Sequence, residues 1–213
     1  MRQPTPAELE IINLLLPGGG EPLTDRDIIV ETIVATDNLI SRSRSKWHKD
    51  ALLQLAELIV GLPFTLDHDW DEVAKVIGRV FAARVKKYDT APARILRACG
   101  QQINNLQVIK ADGGYITCEC DVFIQIDSPA VQAIKLGKID RVSIGGFDYD
   151  DLWCPLCDLS FFDKHCPHGV PDSWHSYDDD ELAPYYQRKD VCDLGEISAV
   201  LIPNVPGAGI KHC

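Results

Sequence analysis

Hydrophobic positions recur at two spacings along the chain, one helical and one alternating. Near the N-terminus Leu9, Ile12 and Leu16 fall at helical spacing behind Thr5-Pro6-Ala7-Glu8, which has the form of a capping box with proline at the first helical position. This predicts a short helix on an extension, ended by Pro17-Gly18-Gly19-Gly20 and followed by a linker to about Thr24. Such an arm packs either on a neighbour or on its own core. The β-branched run from Ile28 to Val34 predicts a buried strand. Asp50 to Val60 returns to helical periodicity and stops at Gly61. Strands are predicted over Pro63 to Asp67 and Val76 to Val85. Gln107 to Lys110 and Tyr115 to Ile126 flank Gly113-Gly114, which predicts a hairpin. In its second arm Tyr115, Thr117, Glu119, Asp121 and Phe123 alternate with Ile116, Cys118, Cys120, Val122 and Ile124, the pattern of a half-buried strand. Ser128 to Leu136 predicts a short helix, Ser128 capping it and Pro129 at its first position. Strands follow at Arg141 to Ile144 and Glu196 to Ile202. Many strands with few helices predict an α+β fold, built on a mixed or antiparallel β-barrel flanked by a few helices.

Composition narrows what such a fold does. At 213 residues, 46% hydrophobic and 25% charged, the chain can bury one core, or a core and a small satellite. No apolar run approaches the roughly 18 residues that span a bilayer. The N-terminus lacks the basic and apolar regions of a signal peptide, so the protein is expected to stay in the cytoplasm where it is made. The net charge of −11 is uneven: residues 148–181 carry ten acidic residues against Lys164, nine of the eleven excess negative charges. A nearly neutral main domain and an acidic segment argue against direct nucleic-acid binding. The run Asp178-Asp179-Asp180-Glu181 lacks the alternating ligands and central glycine of an EF-hand loop, and reads as a solvated acidic face.

The eight cysteines divide into a cluster and scattered thiols. Cys154, Cys157 and Cys166 lie beside His165 and His168, while Cys99, Cys118, Cys120, Cys192 and Cys213 stand apart. The cluster has the spacing C-x2-C-x8-C-x-H. Two thiolates on one tight turn and a second pair closing a tetrahedron suit a structural Zn2+ site, with no open position for catalytic water. The expected ligands are Cys154, Cys157, Cys166 and His168, with His165 as the alternative to His168. Zinc would fold a segment too small and acidic to hold a core alone. Cys118 and Cys120 have no acid–base motif beside them and read as core packing.

Three stretches carry candidate catalytic chemistry. They are Asp67-His68-Asp69 with Ile77-Gly78-Arg79-Val80, then Arg141-Val142-Ser143-Ile144-Gly145-Gly146-Phe147, and finally Glu196-Ile197-Ser198-Ala199-Val200 with Pro203-Asn204-Val205-Pro206-Gly207-Ala208. Each alone is ordinary. Together and in this order they resemble the prohead maturation proteases of tailed phages, which share a fold with herpesvirus assemblin. The resemblance runs over about residues 27–210, and phage members with a cysteine- and histidine-containing insert after the serine strand are familiar. It implies Ser143 as nucleophile, His68 as general base and acid, and Glu196 as the group that orients the imidazole. A serine hydroxyl needs a neighbouring base, and a carboxylate behind the histidine fixes its tautomer. Ser198 falls on the same strand face as Glu196 and is expected to be structural.

The resemblance further implies a serine endopeptidase that matures the procapsid by cleaving scaffold and capsid-protein segments, and itself. Its partners would be the major capsid protein and the scaffold, without nucleic acid or membrane, inside the procapsid in the host cytoplasm; self-association is left open. The organisation expected is an extension over 1–24, a protease domain over 25–147 and 186–213, and an acidic zinc-binding insert over 148–185. Two departures stand out. The serine strand carries one glycine more than the usual pattern, and residues 203–206 read proline-asparagine-valine-proline rather than proline-alanine-asparagine-proline. Both fall near the expected oxyanion hole, for which backbone amides around Gly145 and Gly146 or near Asn204 are candidates. The rival reading is a catalytically silent assembly protein that keeps the fold. A metal-dependent hydrolase fits poorly, since the chain has no His-Glu-x-x-His helix and the metal cluster is closed.

Overall fold

Strand β1 (Ile28–Asp37) forms from the β-branched run and extends it by three residues. In the computed structural model, which describes residues 1–16, 21–68, 75–98, 105–146, 152–169, 185–205 and 207–211, β1 lies in a seven-stranded mixed sheet. After β2 (Ser45–Trp47) and helix α2 (Lys49–Leu58) come β3 (Pro63–Leu66), β4 (Val76–Tyr88), helices α3 (Ala93–Ala98) and α4 (Asn105–Ala111), and β5 (Tyr115–Gln125). Helix α5 (Pro129–Lys135), β6 (Arg141–Gly145), β7 (Tyr186–Arg188), β8 (Glu196–Val200) and β9 (Gly209–Ile210) complete the chain, which opens with α1 (Pro6–Leu15). The sheet order is β6-β8-β3-β4-β5-β1-β9, and β2 and β7 pair as a separate parallel ribbon. Within the large sheet β3 and β8 are parallel and the other pairs antiparallel.

The inner face of the sheet is apolar by alternation. Ile116, Cys118, Cys120, Val122 and Ile124 of β5 point into the main core, where α2 contributes Ala51, Leu52 and Leu55 and α5 contributes Ala130, Val131 and Ile134. Both thiols on β5 are thus core groups. The opposite face is covered at one end by α1, whose Ile12 packs with Ile28, Val30, Phe81 and Phe123. The extension therefore packs on its own sheet. Its helix starts at the predicted cap, with Glu8 N–H donating to Thr5 Oγ1 at 3.3 Å and Thr5 N–H to the Glu8 carboxylate at 2.8 Å.

Two expectations are corrected. The sheet is not closed into a barrel. Bulges in β1 and β4 coil it, and its edges meet where Ile210 N–H donates to Asp140 C=O at 3.0 Å, but among the described residues no ladder joins β6 to β9. A two-residue β9 offers too few backbone groups to close it. The predicted hairpin is the second correction: Gln107 to Lys110 belongs to α4. Asn105, Val108 and Ile109 are its buried residues, at helical spacing. Gly113 (φ 71°) donates to Lys110 C=O and Gly114 N–H to Ile109 C=O, the Schellman pattern that ends a helix. The glycine pair is a helix cap before β5, and no strand precedes it. Among the described residues no helix is long and apolar enough to cross a membrane. Cys99, Cys213, the Asp178-Asp179-Asp180-Glu181 run, Asp69, Phe147 and Pro206 lie outside the described residues.

Candidate active site and metal centre

The parallel pairing of β3 with β8 sets Thr65 opposite Ser198 and Leu66 opposite Ala199. Two consecutive left-handed residues, Asp67 (φ 55°) and His68 (φ 58°), then turn the chain back. This conformation is uncommon for residues other than glycine and costs energy that the surroundings must supply. Here Asp67 N–H donates to Ala199 C=O at 3.1 Å and His68 N–H to Ser198 Oγ at 2.8 Å. The turn brings His68 Nδ1 to 2.5 Å from Glu196 Oε1.

Glu196 is fully buried, whereas the His68 side chain is 41% exposed. Ser198 Oγ donates to the other carboxylate oxygen at 2.8 Å, and Thr65 Oγ1 donates there too. Burial pushes the Glu196 pKa up, but the hydrogen bonds from His68, Thr65 and Ser198 outweigh it and hold the carboxyl below its ordinary value. The hydrogen bond to Glu196 raises the His68 pKa against the opposing effect of burial, and the charges of Glu196 and Asp67 add to the rise. The pair favours the imidazolium form, with Nδ1 tied to the Glu196 carboxylate.

Strand β6 completes the face. Gly145 pairs with Glu196 and Ser143 with Ser198, so Ser143 and Gly145 share the outward side while Val142 and Ile144 enter the core. A Cβ at Gly145 would lie 2.6 Å from Glu196 Oε1 and 2.8 Å from His68 Nδ1. Glycine is required here by close approach. Ser143 lies one pleat repeat away, roughly 7 Å along the strand. Its hydroxyl contacts Ile144 C=O at 3.5 Å, and among the described residues no hydrogen bond joins it to His68. The structure therefore brings His68 and Glu196 into direct contact and sets Ser143 beside them on the same face.

The loop after β8 is tied elsewhere. Ser43 N–H donates to Asn204 Oδ1 (3.1 Å), Asn204 Nδ2 to Ser43 Oγ (2.9 Å), and Arg42 N–H to Asn204 C=O (3.0 Å). The Asn204 side chain and carbonyl thus dock the loop on residues 42–43. Ser143, Asn204 and Val205 line a small pocket with Trp47 and Arg188. Thr65 escaped the sequence reading, although its place opposite Ser198 makes it one of the two hydroxyls that bracket the Glu196 carboxylate.

Cys154, Cys157, Cys166 and His168 bring their ligand atoms within 4.8 Å of one another, a group that could hold a metal ion. His165 is outside that group; its backbone N–H donates to Asp163 Oδ1 at 2.8 Å. Cys154 Sγ lies 3.4 Å from His168 Nδ1 and Cys157 Sγ 3.6 Å from Cys166 Sγ. A tetrahedron with metal–sulfur bonds of about 2.3 Å has edges of about 3.8 Å, shorter where nitrogen replaces sulfur, so the donor set fits. The turn is closed by Cys154 N–H to Leu159 C=O (2.8 Å) and Asp158 N–H to Cys154 C=O (3.0 Å), with Asp158 left-handed at φ 57°. The module is bolted to the main fold. Trp153 and Gln187 exchange two 2.9 Å backbone hydrogen bonds, and β7 carries Arg188 over the Trp47 ring at 4.8 Å. Comparison of the chain with protein-family models, with curated proteins and with solved structures gives no match in any of the three.

Proposed function

We propose that the protein is a serine endopeptidase with Ser143 as nucleophile, His68 as general base and acid, and Glu196 as the orienting carboxylate. The observation that carries this reading is the 2.5 Å contact between a half-exposed His68 and a fully buried Glu196, beneath a glycine on the serine strand. In the reaction His68 Nε2 takes the proton of Ser143 Oγ as the oxygen adds to the scissile carbonyl. The imidazolium, paired with Glu196, then protonates the leaving amine. Water repeats the sequence on the acyl-enzyme and releases the acid, restoring Ser143. By the sequence resemblance the substrates are scaffold and capsid-protein segments of a phage procapsid, and the chain itself. The three thiols and one imidazole support structural zinc, with every ligand supplied by the protein. The acidic insert is a docking element for shell or scaffold, so Cys154→Ser should reduce incorporation into procapsids.

A catalytically silent assembly protein is the second reading, favoured by the missing hydrogen bond between Ser143 and His68. Such bonds tighten in substrate complexes, so labelling decides. A fluorophosphonate probe that modifies the wild type at Ser143, and neither Ser143→Ala nor His68→Ala, supports the enzyme. A wild type that stays unlabelled and leaves co-expressed capsid protein, scaffold and itself uncut supports the silent reading.

A further inference from the structure

A second cavity, of about 210 Å³, opens on the outer face of the sheet where β1, β5, β9 and the start of β6 converge. Val34, Pro92, Ile95 and Ile210 give it apolar walls, and the fully buried Glu119 lies in its lining. Its volume is below the roughly 300–1,000 Å³ of pockets for drug-sized ligands. It matches one large side chain, displacing about seven waters at roughly 30 Å³ each.

The charge around it opposes that of the chain. Arg94, Arg141 and Lys211 line the cavity against Glu119 and Asp140. Lys86 stands behind Glu119 at 3.2 Å. Lys211 is paired with Glu119, and Arg141 with Asp140 at 3.4 Å. Arg94 is exposed and, among the described residues, has no ion-pair partner. In a protein of net charge −11, a cationic rim around an apolar hole selects a ligand with an apolar body and an adjacent carboxylate.

Position ties the cavity to the serine. Arg141 shares the outward face of β6 with Ser143 two residues away, and a peptide advances about 3.3 Å per residue. We propose that this cavity is a specificity subsite that takes a large apolar side chain next to Asp or Glu, two or three residues from the bond Ser143 attacks. The link to cleavage rests on the protease reading; the binding chemistry does not.

The test uses the full-length Ser143→Ala protein on an array of acetylated octapeptides, with central Leu, Phe, Tyr or Ser flanked by Glu, Lys or Ser. Thr90→Trp fills the cavity from an exposed lining position, and Arg94→Glu reverses the rim charge, so neither disturbs the core. Retention of peptides with an apolar centre and Glu flanks, cut about tenfold or more by each substitution, supports the subsite. The proposal is overturned if no peptide is retained, if Lys-flanked peptides are preferred, or if Thr90→Trp binds like its parent. Fluorophosphonate labelling of the same substitutions in the Ser143 background separates the two readings. Selective retention without labelling of Ser143 keeps the site and removes the protease. Labelling without selective retention does the reverse.

Discussion

Replacing Gly145 by alanine tests the proposed active-site geometry with a single methyl group. The new Cβ would fall 2.6 Å from Glu196 Oε1 and 2.8 Å from His68 Nδ1, about 0.8 Å inside the roughly 3.5 Å at which carbon contacts become favourable. Glu196 cannot yield, being fully buried and held by Thr65 and Ser198. His68 can, because its side chain is half-exposed, so the imidazole is expected to swing off the carboxylate. Overpacking of this kind costs about 1–3 kcal/mol, and water recovers part of the lost charged hydrogen bond, itself worth about 1.5–3 kcal/mol. For a chain of this length the Tm should fall by roughly 3–9 °C. The catalytic effect should be larger, since an imidazole in the wrong tautomer or orientation costs about 10²–10⁴ in rate. Thermal unfolding and the rate of fluorophosphonate labelling at Ser143 are the assays. If Gly145→Ala unfolds within 1 °C of the wild type and labels within twofold of its rate, the His68–Glu196 contact is not the working geometry.

Three further outcomes follow from the same structure. His68 should titrate above its ordinary value in an NMR pH series and fall in Glu196→Gln. Its raised folded-state pKa means that the pair's stabilisation is full below about pH 6.5 and fades as pH rises through the folded value; an unchanged pKa in the glutamine variant would contradict this. Asp37 is fully buried, accepting from Leu39 N–H and Tyr115 Oη–H at 2.9 Å each, and burial pushes it up to about 6. A raised carboxyl pKa opposes folding once the group ionises, so stability should drop by roughly 3 kcal/mol between about pH 4 and pH 7. Denaturant unfolding of Asp37→Asn should lack that part of the slope. One metal ion per chain is expected by elemental analysis, lost in Cys154→Ser. Loss should speed amide hydrogen exchange at Trp153, Gln187 and residues 45–47 while leaving β4 and β5 protected; equal exchange in both proteins would mean that the module holds without metal.

The elements most legible in the sequence were those written in local chemistry. The Thr5 capping box, Ser128 before Pro129, the helix over 50–60 and the alternation of β5 depend on neighbours a few residues apart, and each formed where the pattern placed it. The C-x2-C spacing likewise carries its own geometry, because one turn aims both thiols. Helix α4 is not legible in this way, since its apolar run is too short to distinguish a strand from a helix, and a glycine pair serves a hairpin and a helix cap equally well.

Other features existed only once distant strands met. Closure of the sheet turned on whether β6 and β9, far apart in sequence, could build a ladder, and a two-residue β9 could not. The sequence supplied His68, Ser143 and Glu196 as candidates, but their relation came from pairings across up to 133 residues, that of Thr65 with Ser198, and from Thr65 donating to Glu196. The need for glycine at 145 follows from a histidine folded over a neighbouring strand. The Glu119 cavity could not be foreseen at all, because its walls come from five separated segments. Short-range patterns determine which way a side chain points; what it points at is decided by strand order and register, which depend on the whole chain packing at once.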